Sequence, residues 1–152
     1  MSDRVDITDD IDDDLTEEME MFVEAQDTVW NDVRAELSAG KKTSHWMWFV
    51  FPQLADLGQS HMAQLYGIED LTEATAYLAH PVLRTRLIEA SELLLSHTDR
   101  SAEDILGETD AKKLRSSMTL FTAVPDAPQV FDAVFKTFFD GAPCPLTRDA
   151  LG

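Results

Sequence analysis

The residues best suited to chemistry lie in one stretch, Ser44-His45-Trp46-Met47-Trp48-Phe49-Val50-Phe51-Pro52-Gln53, which holds two of the chain's three tryptophans. Leu and Val fill a core with less demand. An indole N–H needs an acceptor, and His and Gln each bring donors and acceptors. Such a cluster builds either an exacting core or the wall of a pocket. Two lysine pairs accompany it. Lys41-Lys42 runs directly into Thr43-Ser44-His45, and Lys112-Lys113 stands just before Arg115-Ser116-Ser117. These pairs hold four of the five lysines in a chain of net charge −17, which points to an anion for them to meet. Ser44, with the free N–H groups of a helix starting there, would add donors of the kind that hold phosphates and carboxylates.

The expected function is therefore binding of a small anionic ligand, phosphorylated or nucleotide-like, in a pocket lined by the Ser-His-Trp-Met-Trp motif. Trp46 or Trp48 would stack a ring. Lys41, Lys42, Lys113 and Arg115 would hold the charge, with the Ser44, Ser116 and Ser117 hydroxyls beside them. Gln26, His45, Gln53 and Tyr66 would supply directional hydrogen bonds. The alternative is a non-enzymatic protein–protein interaction module whose Trp motif is core only, and whose acidic surface or tail engages a basic partner. No catalytic residue is assigned. His45 is the candidate general base, because imidazole titrates near neutrality. A hydrolase or transferase would draw its nucleophile or base from His45, Ser44 or Ser117.

Known signatures give no more. GxSxG, HExxH, GxGxxG and CxxC are absent, and Gly40-Lys41-Lys42-Thr43 lacks the first glycine of a phosphate-binding loop. His61, His80 and His97 have no metal-ligand spacing, so neither a metal nor a cofactor is expected.

The 152 residues fit one domain, with 44% hydrophobic residues to build its core. Of the net charge, −9 falls within residues 1–20. That surface repels phosphate backbones and anionic membranes, so neither nucleic acid nor membrane is an expected partner. The single cysteine, Cys144, cannot form an internal disulfide, and the acidic N-terminus is unlike a signal peptide. A cytoplasmic monomer is the expectation.

The elements that must position these residues read as helices. Residues 1–15 are expected to be a disordered acidic tail, and 16–152 a single domain. Phe22, Ala25, Gln26, Val29, Val33 and Leu37 form one helical stripe from about Glu18 to a stop at Gly40. A short helix is predicted over Ser44–Phe51 with Ser44 as its cap, and another from Ser60 to Tyr66. Asp70 then opens 71–79, Pro81 opens a longer central helix to Ser96, and Ser101 opens a short one ending at Gly107. Asp110 is expected to cap a helix to Val124, and Pro128 to open the last one, to Phe139. Residues 142–152 are expected to be irregular. The fold class is all-α, a compact single domain of about seven or eight helices.

Across Gly40–Gln53 the chain resembles a bacterial family with no assigned function, the domain-of-unknown-function 1810 family. The likeness extends through Phe22-Val23-Glu24-Ala25-Gln26, Met62-Ala63-Gln64-Leu65-Tyr66, Tyr77-Leu78-Ala79-His80-Pro81-Val82-Leu83 and the run Lys113–Phe121. It covers about residues 18–151. It implies a compact all-α domain and supplies no mechanism. In layout, though not in aligned motifs, the chain is also similar to the NADAR group of helical domains tied to NAD and ADP-ribose chemistry. No catalytic residues carry over from that group.

Overall fold

Capping residues, glycines and prolines cut this chain into short helices. In the computed structural model, residues 7–57 and 60–151 are described, with side chains from Leu15 onward. But for Leu15, the expected acidic tail lies outside the fully described residues. Among the described residues ten α-helices follow one another: α1 (Ile7–Asp27), α2 (Trp30–Ala39), α3 (Met47–Val50), α4 (His61–Leu65), α5 (Leu71–Ala79), α6 (Pro81–Leu95), α7 (Ala102–Leu106), α8 (Glu108–Thr122), α9 (Gln129–Phe139) and α10 (Pro145–Leu151). The described residues form no sheet. One parallel bridge joins Leu54 to Ile68.

Local signals set most of the boundaries. The side chains of Ser60, Asp70 and Ser101 accept from the N–H groups of Ala63, Glu73 and Asp104, each satisfying an orphan donor of a first turn. Pro81 stands in the first turn of α6, where a missing N–H costs nothing. Gly67 follows α4, and its deeper role is close approach. A Cβ there would lie 2.4 Å from Ala55 Cα, so only glycine lets the two bridged segments meet.

The structure departs from the sequence expectations at four places. The first apolar stripe is carried by two helices, because Val29 leaves helical geometry (φ −127°, ψ 0°) between α1 and α2. The stripe survives the break because Val29 N–H still reaches Gln26 O and Val33 N–H reaches Val29 O. Ser44 caps nothing. α3 begins at Met47 after Trp46, and the Ser44 hydroxyl bonds elsewhere. Asp110 is not a cap either, since α8 opens at Glu108 directly after Gly107 (φ +91°). Residues 145–151 are helical rather than irregular. α10 is held by tertiary contacts that no seven-residue period announces. Arg115 donates to Ala142 O at 2.9 Å and Pro143 O at 3.0 Å, and Ser116 and Thr147 share a bond of 2.7 Å.

α6 runs through the centre, packed against α2, α5 and α9, with Leu83, Leu87, Ala90 and Leu94 buried. An aromatic chain crosses the core beside it. Tyr66 meets Phe22 and Phe49, Phe22 meets Tyr77 edge-on at 5.2 Å, Tyr77 meets Phe121 at 5.2 Å, and Phe121 meets Phe131 at 6.2 Å. Such pairs contribute beyond their buried area. Among the described residues, no helix is long and apolar enough to cross a membrane.

Candidate functional site

The loop between α2 and α3 wraps around a carboxylate of its own chain. One Glu36 oxygen accepts from Thr43 N–H (2.7 Å), Ser44 N–H (2.9 Å) and Trp46 Nε1–H (3.0 Å), and the other accepts from the Ser44 hydroxyl (2.6 Å). Burial raises the carboxyl's pKa. The bonds from the Ser44 hydroxyl, the two backbone N–H groups and the indole outweigh that and hold it at about 2. Helix α2 positions Glu36, Gly40 (φ +74°) turns the chain back over it, and Trp46 seats the loop in the core with 0% exposure. The donors read from sequence as a ligand's anion site thus have an anion within the chain.

The aromatic and basic clusters do come together. Lys42 Nζ lies 5.1 Å from the centre of the Trp46 ring, and Lys113 Nζ lies 5.0 Å from that of Trp48. Asp110 stands between the two lysines, 2.7 Å from Lys42 and 3.5 Å from Lys113. The side chain of Lys42 is only 8% exposed, so its charge needs that partner. Asp110→Ala is expected to lower unfolding free energy by about 2 kcal/mol. Adding Lys42→Met should recover part of the loss, as read in urea unfolding.

The other candidates lie in distinct surroundings. Gln26, 1% exposed, donates to Phe49 O (2.6 Å) and to the Tyr77 hydroxyl (3.0 Å), bridging α1, α3 and α5 in the core. Tyr66 packs in the aromatic chain, and Gln53 O accepts from Ile68 N–H beside the β-bridge. Arg115 fastens the segment leading into α10, and Ser116 bonds Thr147 within it. The Ser117 hydroxyl is buried with no hydrogen-bond partner among the described residues. Lys41 and His45 are exposed, and Trp48 and Lys113 are half-buried. Among the described residues, no hydrogen bond links His45 to Ser44 or Ser117, and no group of three or more His, Cys, Asp or Glu is placed to hold a metal ion.

Sequence reasoning missed a second cluster. Glu73, 5% exposed, lies against Glu18 of α1. Burial first, and then that neighbouring carboxyl, push Glu73 up to about 8. The spacing Asp70-x-x-Glu73 was the available signal, since it matches a capping pattern, and one Glu73 oxygen does accept from Glu69 N–H at the start of α5. A carboxyl raised above its ordinary value stabilises the fold fully below about pH 4.5, and that contribution is lost as pH rises through about 8. Glu73→Gln keeps the shape without the charge. It is expected to stabilise the protein by about 2 kcal/mol at pH 8 and to flatten the melting profile between pH 5 and pH 8.

Comparison with known proteins agrees with this architecture. A crystal structure of a conserved hypothetical protein from Mycobacterium tuberculosis is similar over 88% of this chain and 96% of its own, with a TM-score of 0.86 and 46% identity. No curated protein matches the chain. The family model described as "Protein of unknown function (DUF1810)" matches residues 16–151, and the chain belongs to that family.

Proposed function

We propose that this domain is a non-enzymatic interaction module that engages a basic partner through its acidic surface, its Ser-His-Trp-Met-Trp motif serving as core. The observation that carries this reading is the inward commitment of Trp46 and Met47 and of the loop donors beside them. Trp46 is fully buried, and the donors of residues 43, 44 and 46 converge on Glu36. What remains for recognition is a surface dominated by carboxylates in a chain of net charge −17. Such a field speeds association with cationic partners and repels anionic ones. Titration of the full chain with a fluorescent lysine-rich peptide tests this. Saturable one-to-one binding that weakens with salt is expected. No saturation at low salt, or equal binding of a glutamate-rich peptide, contradicts it.

A second reading keeps the small anionic ligand, favoured by one observation: Lys113 lies over the half-buried Trp48 ring at 5.0 Å, a cation and an aromatic face side by side. A thermal-shift panel of phosphate, mononucleotides, NAD and ADP-ribose tests it. A ligand at about 100 times its Kd adds roughly 2.7 kcal/mol of stability. A rise abolished by Lys113→Ala supports this reading, and a flat panel removes it.

A further inference from the structure

His80 sits between α5 and α6, beside α1, and both of its ring nitrogens are engaged. Nδ1 accepts from Val82 N–H at 3.2 Å, and Nε2 lies 2.8 Å from Glu20 Oε2 on α1. These two contacts fix the tautomer. A nitrogen that accepts carries no proton, so the neutral ring holds its proton on Nε2 and donates it to Glu20. His80 is also the cap of α6, the helix at the centre of the fold. Pro81 has no N–H, so Val82 supplies the first orphan donor of that helix, and the imidazole satisfies it.

A second proton changes what the ring can do. An imidazolium has two donors and no acceptor, so its Nδ1–H would face the Val82 N–H, donor against donor. The cap is lost. The bond to Glu20 is kept and becomes charge-assisted. The caps of α4, α5 and α7 are Ser60, Asp70 and Ser101, whose oxygens go on accepting across the neutral range. Among these caps, only that of α6 has an acceptor that a single proton abolishes.

The charges around the ring are few. Glu20 is the one in contact with it. Glu17 and Glu24 lie a turn to either side of Glu20 on α1, and both are exposed. Glu73, the charged residue of α5, stands two turns back, against Glu18. Arg84 is one turn along α6 and exposed, and shares a separate cavity with Asp126. Arg86 and Glu89, further along, pair with Asp27 and Arg34. The ring also borders a mostly apolar groove of about 300 Å³, with Leu15, Met19, Ala76, Ala79 and Pro81.

We infer that His80 is a proton-operated latch between α1 and the central helix. Neutral, its ring ties the start of α6 to α1. Protonated, it holds α1 alone and frees the first turn of α6. Imidazole is the side chain whose charge changes between about pH 5 and pH 8, so mild acid operates the latch. The device does not depend on what the acidic surface or the Trp motif binds.

Nuclear magnetic resonance of the full, nitrogen-15-labelled chain tests this between about pH 5 and pH 8. At the upper end the His80 ring should show the Nε2–H tautomer. As that ring takes up its proton, the Val82 amide should respond with the same midpoint. Its protection against hydrogen exchange, taken relative to the intrinsic rate at each pH, should fall about fivefold, the effect of losing one cap. Protection in the middle of α1 should stay level, because Glu20 is still held. His80→Asn supplies a cap that does not titrate, and the Val82 step should vanish in it. An Nδ1–H tautomer, a Val82 amide that ignores the ring's titration, or a Val82 step that survives in His80→Asn overturns the latch. The tautomer and the Val82 step are both read on the parent chain, so the test stands even where the variant does not fold.

Discussion

Replacing Trp46 with alanine is expected to lower the unfolding free energy by about 3–5 kcal/mol. The ring is fully buried, so truncation leaves a large cavity among core side chains. It also removes the indole donor to Glu36 and the face beneath Lys42, each of which has further partners and loses only part of its support. Trp46→Phe separates these effects. It keeps most of the volume and loses the hydrogen bond, for an expected cost of about 1–2 kcal/mol. Chemical denaturation of both variants checks the pair. A Trp46→Ala loss below about 1 kcal/mol would mean that the ring lines an open pocket rather than the core.

Glu36→Ala is expected to destabilise by about 3 kcal/mol through a different route. It leaves two backbone N–H groups, a hydroxyl and an indole N–H without their acceptor. The sign of the pH effect follows from the lowered carboxyl. A group held at about 2 against an ordinary value of 4.5 contributes stability that is full above about pH 4.5 and is lost as pH falls through about 2. The variant should lose that part of the acid dependence. Its stability should approach that of the parent as pH drops, as read from urea midpoints at pH 3 and pH 7. Glu36→Gln should fall between, since the amide oxygen accepts without charge and its NH₂ meets donors.

The helices were legible because their signals are local. Ser60, Asp70, Pro81 and Ser101 each mark a start within a few residues of the groups they satisfy. The apolar stripe of α6 repeats often enough to show its face. α10 was not legible, because Arg115 and Ser116, about 30 positions earlier, hold it.

The site was half legible for the same reason. Residue types in Lys42–Trp48 signalled donors, which the fold turns inward onto its own carboxylate, and one lysine of each pair, Lys42 and Lys113, lies over a tryptophan. Composition could not say that the anions were Glu36 and Asp110. Glu36 lies on the preceding helix with no motif around it, and Asp110 looked like a helix cap. Glu73 was hidden in another way. An acidic residue three positions after Asp70 looks like ordinary capping, and only the fold brings Glu18 against it.

The central claim is that the Trp-rich loop is organised around the Glu36 carboxylate. Nuclear magnetic resonance titration of the Glu36 side-chain carboxyl carbon tests it most directly. With four donors in place, the resonance should stay in its ionised position down to pH 3 and begin to move only as the midpoint near 2 is approached. A midpoint near 4.5 would mean that the loop does not hold this carboxylate, and that its donors are free for a ligand.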